Sequence, residues 1–229
     1  IFFLEAKPPA ELGLDGHPKK GGFLPPVPLP RRMWAGGRLE FIRPLIIGER
    51  ITRESRILSV EPKSGRTGDL VFVTVQHTIK DGGEVAIMEE QDIVYREAAK
   101  KGDPLAPGKA APVDPAWTRR VFADSVMLFR YSALTFNGHR IHYDHDYAVN
   151  EEHYPGLVVH GPLQATLLLD LCRSHSDRPL RKFEYRAQSP IFAGSAFTVN
   201  GVVDATTSRA EVWTANEAGH YAMRGTASF

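Results

Sequence analysis

The chain has 229 residues, with 28 Lys+Arg against 27 Asp+Glu, 42% hydrophobic residues and 10% aromatics. That composition supports a sizeable core and excludes wholesale disorder. A net charge of +1 gives nucleic acid or an anionic membrane no electrostatic hold, and no apolar run approaches the about 20 residues of a membrane span.

Residues 6–32 carry prolines at 8, 9, 18, 25, 26, 28 and 30, which fix φ and remove N–H donors, so neither a helix nor a central strand fits. The stretch Gly21-Gly22-Phe23-Leu24-Pro25-Pro26 reads as an extended arm with apolar anchors, either a surface linker or a cover for a substrate. From Arg38 to Arg96 the texture is that of strands. Strands are expected at 38–43, 51–60, 70–75, 85–88 and 93–95, with hairpin turns at Lys63-Ser64-Gly65-Arg66-Thr67-Gly68 and Asp81-Gly82-Gly83. Residues 100–116, rich in Pro and Gly, read as a linker.

Beyond the linker, residues 121–131 fit a helix or a strand equally well. A helix is predicted over 162–174, with Pro162 at its first position and Leu163, Leu167, Leu168, Leu169 and Leu171 around most of its circumference, which predicts burial. Strands follow at 182–188, 195–204, 209–215 and 220–229. Cys172, the single cysteine, permits no intrachain disulfide and reads as an inert thiol inside the helix. It fits a reducing compartment: the cytoplasm, or the mitochondrial matrix in a eukaryote.

A long helix against a curved antiparallel sheet is the hot-dog plan. The expected fold is therefore α+β, a double hot dog. A degenerate N-terminal half with its arm (1–99) and a linker (100–116) precede a catalytic C-terminal half (117–229).

The densest polar stretch is Asn137-Gly138-His139-Arg140-Ile141-His142-Tyr143-Asp144-His145-Asp146. Two chemistries compete for it. Its His142-Tyr143-Asp144-His145 resembles the His-x-His-x-Asp-His of metallo-β-lactamase-like hydrolases. However, His139 stands three residues before His142 instead of two, which turns its side chain to another face, and the remaining ligands are not evident. The stretch Leu134 to Ala148 also resembles the signature of the MaoC-like (R)-specific enoyl-thioester hydratases. Leu134, His142, Asp144 and Ala148 keep their places, and Thr135 and Ile141 are close substitutions. Phe136, Asn137, His139 and Arg140 depart from it. Val158-Val159-His160-Gly161-Pro162-Leu163 resembles that family's second motif, a glycine opening the central helix. The variant Phe136 to Asp144, behind the arm, is similar to one branch: type-2 hydroxyacyl-thioester dehydratases and mesaconyl-CoA and itaconyl-CoA hydratases. That likeness also implies a segment ahead of Ile1.

The resemblance implies a hydro-lyase acting on an acyl-CoA or acyl-carrier thioester, with no metal or redox cofactor and a homodimer among its possible states. An imidazole titrates near neutrality, so His142 is the expected acid/base. The N–H of Gly161, at the positive end of the helix, is the expected donor to the enolate oxygen. Asn137 stands where most of the family has a catalytic aspartate. An amide exchanges no protons usefully, so Asn137 is expected to orient water. His139, Arg140, Asp144 and His160 are candidate substrate contacts, Asp144 being equally able to orient His142 or cap a turn. A fatty acyl thioester dehydratase, a thioesterase and a silent acyl-thioester-binding module remain open, the last because of the amide at Asn137. A dicarboxylic acyl group would need an arginine, for which Arg31, Arg32, Arg38 and Arg140 are available.

Overall fold

The computed structural model describes residues 6–65, 68–100, 102, 105, 108–204 and 206–229. The first four strands are β1 (Arg31–Phe41), β2 (Ile51–Gly65), β3 (Gly68–Asp81) and β4 (Glu84–Arg96). Next in chain order come β5 (Trp117–Phe122), helix α1 (Ser125–Thr135), helix α2 (Gly161–Ser174), β6 (Lys182–Ala187), β7 (Ala196–Asp204), β8 (Arg209–Asn216) and β9 (Tyr221–Ser228). All nine strands join one antiparallel sheet in the order β2-β3-β4-β1-β6-β9-β8-β7-β5. Helix α2 lies against β6, β7, β8 and β9. Among the described residues up to Arg96, no α-helix accompanies these first four strands.

Several expectations change in detail. The arm stops at Pro30, and β1 begins at Arg31, seven residues earlier than the alternation at Arg38 suggests. Gly36-Gly37 hides the pattern, yet the pair is required there: a Cβ on Gly37 would lie 2.3 Å from Tyr185 Oη and 2.8 Å from Glu90 O. The segments at 85–88 and 93–95 are one strand, β4. The polar run that separates them is matched across the sheet, because Arg38 bonds Glu90 at 2.8 Å and Asp92 at 2.7 and 2.9 Å, and Thr74 bonds Asp92 at 2.9 Å. The ambiguous 121–131 divides at Asp124, whose carboxylate accepts the Met127 N–H at 2.7 Å and so starts α1. Burial of α2 is one-sided. Leu163, Ala165, Leu168, Leu171 and Cys172 enter the core with Phe183, Phe197 and Val199, while Leu167 and Leu169 stay half-buried and Thr166 faces out.

The arm packs through Leu24, Val27 and Leu29 onto Val73, Val75 and Tyr95; Phe23, an expected anchor, is exposed. An isolated bridge between Leu12 and Pro18 closes its first loop. No helix among the described residues is long and apolar enough to cross a membrane.

Candidate active site

The site is assembled between the end of α1 and the start of α2. Helix α1 stops at Phe136, which adopts a left-handed conformation (φ 52°), and the Asn137 N–H then donates to Ser132 O at 2.9 Å. The Asn137 side-chain oxygen accepts the His139 N–H at 3.0 Å, folding the chain into an Asx turn. One turn of 3-10 helix, Arg140–His142, brings His142 beside Val158. Val158 N–H donates to Ile141 O at 2.9 Å, and Val158 O lies 2.7 Å from His142 Nδ1. A carbonyl can only accept, so the proton of His142 sits on Nδ1 and Nε2 keeps its lone pair. Burial pushes the ring's pKa down to about 4, against a smaller raising effect from Val158 O. At neutral pH His142 is therefore uncharged, with its free nitrogen on Nε2.

Four imidazoles run through this region. His142 stacks on His160 with centroids 3.7 Å apart, His139 meets the edge of His142 at 5.4 Å, and His17 from the arm lies 4.4 Å from His139. Burial lowers all four, His17 to about 3, and the nearby charge of Arg32 adds to the lowering of His17 and His139. His160 is wholly buried, with Nε2 on Ser132 Oγ at 2.8 Å and Nδ1 without a partner. It stands behind His142, against the face of that ring.

His160 precedes α2 without capping it, so no side chain takes the first N–H groups of the helix. Those orphan donors and the positive end of the dipole start at Gly161, beside the imidazoles. A Cβ on Gly161 would lie 3.2 Å from Trp34 Cε3, so β1 also borders this point.

The other expected contacts face elsewhere. Arg140 binds Asp144 at 2.7 and 2.9 Å, donates to Leu14 O at 3.1 Å and lies over the Tyr147 ring. The second oxygen of Asp144 accepts the Tyr147 N–H at 3.0 Å, so Asp144 caps a turn and pairs with Arg140. Arm residues that the sequence reading passed over stand at the centre instead. Asp15 O accepts the Arg140 N–H at 2.9 Å, and Gly16 abuts Gly138 so closely that a Cβ on Gly138 would lie 2.8 Å from Gly16 O. The only local signal was the turn-forming Asp15-Gly16.

Asp15, His17 and His139 bring possible ligand atoms within 4.8 Å of one another. The set fits a cation poorly: the Arg32 guanidinium is 3.5 Å from Asp15, and the two rings pack against each other at a 39° tilt. Cys172 is buried in α2, and burial raises its thiol to about 11, leaving no thiolate to act as nucleophile.

A central helix whose uncapped start lies beside a buried histidine, on a hot-dog sheet, is the arrangement expected of a MaoC-like hydratase/dehydratase, a hydro-lyase, and the likeness to known proteins bears that class out. The sequence profile of hydroxyacyl-thioester dehydratase type 2 matches residues 1–193, and the chain belongs to that family. It is 52% identical over 192 residues to the mesaconyl-C(4)-CoA hydratase of Chloroflexus aurantiacus, covering 84% of this chain and 69% of that protein. It is 30% identical over 229 residues to the mitochondrial hydroxyacyl-thioester dehydratase type 2 of Schizosaccharomyces pombe, covering 87% and 74% respectively. The fold is shared with a MaoC-like dehydratase of Phytophthora capsici, with a TM-score of 0.68, 15% identity, and 86% and 68% of the two chains covered.

Proposed function

We propose that this protein reversibly hydrates an enoyl-CoA whose acyl part is a short branched dicarboxylic acid, of the mesaconyl or itaconyl kind. Coenzyme A enters as part of the substrate, and no further cofactor is needed. His142 Nε2 takes a proton from water as the water oxygen bonds to Cβ. The electron pair of the double bond moves toward the thioester carbonyl, whose oxygen becomes an enolate held by the Gly161 N–H at the start of α2. The proton then returns from Nε2 to Cα, so one imidazole serves both transfers. Asn137 exchanges no proton; its role is to hold the His139 turn and to orient the water. In this reading the chemistry lies in residues 117–229, and the arm and β1 close the site from the other half.

The observation that carries the reading is the fixed tautomer of His142: Nδ1 is committed to Val158 O, which leaves the Nε2 lone pair free near the uncapped start of α2. The choice of acyl group draws its support from the 52% identity to a protein named for mesaconyl-C(4)-CoA. The test is a panel of mesaconyl-, itaconyl-, crotonyl- and long-chain enoyl-CoA, followed as loss of enoyl absorbance. Preference for the two dicarboxylic substrates is expected. Preference for the long chain would point to a fatty acyl dehydratase, thiol release to a thioesterase, and binding without turnover to a silent module.

A further inference from the structure

We propose that Arg32, with the Tyr95 hydroxyl beside it, receives the free carboxylate of the dicarboxylic acyl thioester and so sets the specificity of the site. This rests on the hydration reading above and adds to it the group that selects the acyl chain.

The arginines sort by what already holds them. Arg31 is closed on Glu152 at 2.5 Å and lies over the Tyr154 ring. Arg38 is forked onto Glu90 and Asp92, and Arg140 onto Asp144. Arg32 differs. Its side chain is only 10% exposed, yet its contacts with Pro18 O at 3.4 Å and Asp15 Oδ2 at 3.5 Å are long, and both run from the same nitrogen, Nη2. Charge-assisted bonds of a guanidinium run to about 2.7–2.9 Å and commonly come in pairs. A cation withdrawn from water with one long ion pair, to Asp15, keeps part of its desolvation cost, which a bound carboxylate would offset.

Tyr95 supplies an independent sign. It is the register partner of Arg32 on β4, so both side chains stand on one face of the sheet. It is fully buried, and its hydroxyl faces the Arg32 guanidinium, with no bond to any other group among the described residues. A buried hydroxyl facing a guanidinium that has no short charge-assisted bond is a receptor for an anion.

The position is also right. The charge of Arg32 reaches His17 and His139, and His139 lies against His142. Two residues along β1, on the same face, Trp34 borders the first residue of α2, where the thioester carbonyl would bind. Two residues of strand span roughly 6.6 Å. The two carboxyl carbons of a four-carbon dicarboxylic acyl group lie roughly 4 Å apart, from bonds of about 1.5 Å; the reach of the Arg32 side chain covers the difference. A fatty chain would instead lay methylene groups on a buried cation.

The test compares the free-acid form of mesaconyl-C(4)-CoA with its neutral methyl ester, in the wild type and in Arg32→Met, Arg32→Lys and Tyr95→Phe. Losing one partner of a buried charge pair corresponds to roughly 10²–10³-fold in kcat/KM, so the wild type should prefer acid over ester by about that factor. The preference should collapse to a few-fold in Arg32→Met and fall partway in Tyr95→Phe. Arg32→Lys keeps the charge but not the fork and should be intermediate, which covers the case in which Arg32→Met does not fold. An acid-over-ester ratio that survives in Arg32→Met, or is fully kept in Arg32→Lys, overturns the assignment. A wild type that hydrates crotonyl-CoA without preferring acid to ester defeats this inference alone. A wild type that hydrates no enoyl-CoA defeats the function reading beneath it.

Discussion

Acid should unfold this protein early, and the histidines say by how much. His139, His142 and His160 are 8%, 6% and 0% exposed, and burial holds all three below the ordinary histidine pKa of 6.5. In the unfolded chain each regains that ordinary value. As pH falls through 6.5 the unfolded state takes up protons that the native state refuses, so stability present above pH 6.5 is lost toward the depressed native values. Each group contributes about 1.4 kcal/mol per pH unit once pH lies well below 6.5. Summed over three histidines, the loss between pH 7 and pH 5 is about 6 kcal/mol, comparable with the whole stability of an ordinary domain, about 5–15 kcal/mol. His17 acts in the same direction but is partly exposed, and is left out of the sum. The check is a series of urea titrations at pH 7, 6 and 5, read by far-UV circular dichroism. The midpoint should fall steeply over that range, where most carboxylates are still ionised. A midpoint unchanged between pH 7 and pH 5 would show that the imidazoles are charged or solvated in the native state, and the argument for a neutral His142 base would go with it.

Because burial lowers His142 to about 4, kcat/KM for hydration should stay flat from pH 8 to pH 6; a limb centred near 6.5 would contradict the buried base. His142→Ala should lose roughly 10²–10⁴-fold in rate, whereas Asn137→Ala should lose about tenfold through the broken Asx turn, and Asn137→Asp, which keeps the acceptor for the His139 N–H, should stay active. Equal losses in the two alanine variants, measured with the same substrate, would give the amide a direct chemical role. Gly16 combines φ +84° with a position where a Cβ would fall 2.0 Å from Gly138 O, so Gly16→Ala should lift the arm, raise KM and expose residues near 16 to limited proteolysis; an unchanged digestion pattern would show that the arm does not need that contact.

The fold was legible wherever one chemical pattern served one element. The β-branched run at 70–75 marks β3, and Pro162 marks the start of α2 within one residue. Reading failed where a residue's partner lies across the sheet. Glu90 and Asp92 look like a break in β4 until Arg38 is seen opposite them, and Gly36-Gly37 looks like a loop until Tyr185 is seen crossing it. The site divides in the same way. Asn137, His142 and Gly161 sit in short local motifs that encode their own turns. Asp15, His17, Arg32 and Trp34 reach the same place only because the arm and β1 are carried there by tertiary packing, which no spacing in the sequence records.

The ladder between β1 and β6, running from Gly36 opposite Arg186 to Glu40 opposite Lys182, ties the two groups of strands by backbone hydrogen bonds as well as by the covalent chain. A nick between Arg96 and Gly108 would therefore remove a tether and leave the seam in place. The tether supplies local concentration, which two separate fragments must make up by abundance. Expressed by itself, the segment from Trp117 onward would bare β6 as an unpaired edge and lose Trp34 from beside Gly161. Such a piece would be prone to stick to its own kind, and adding back the segment through Arg96 should restore both its solubility and its active site.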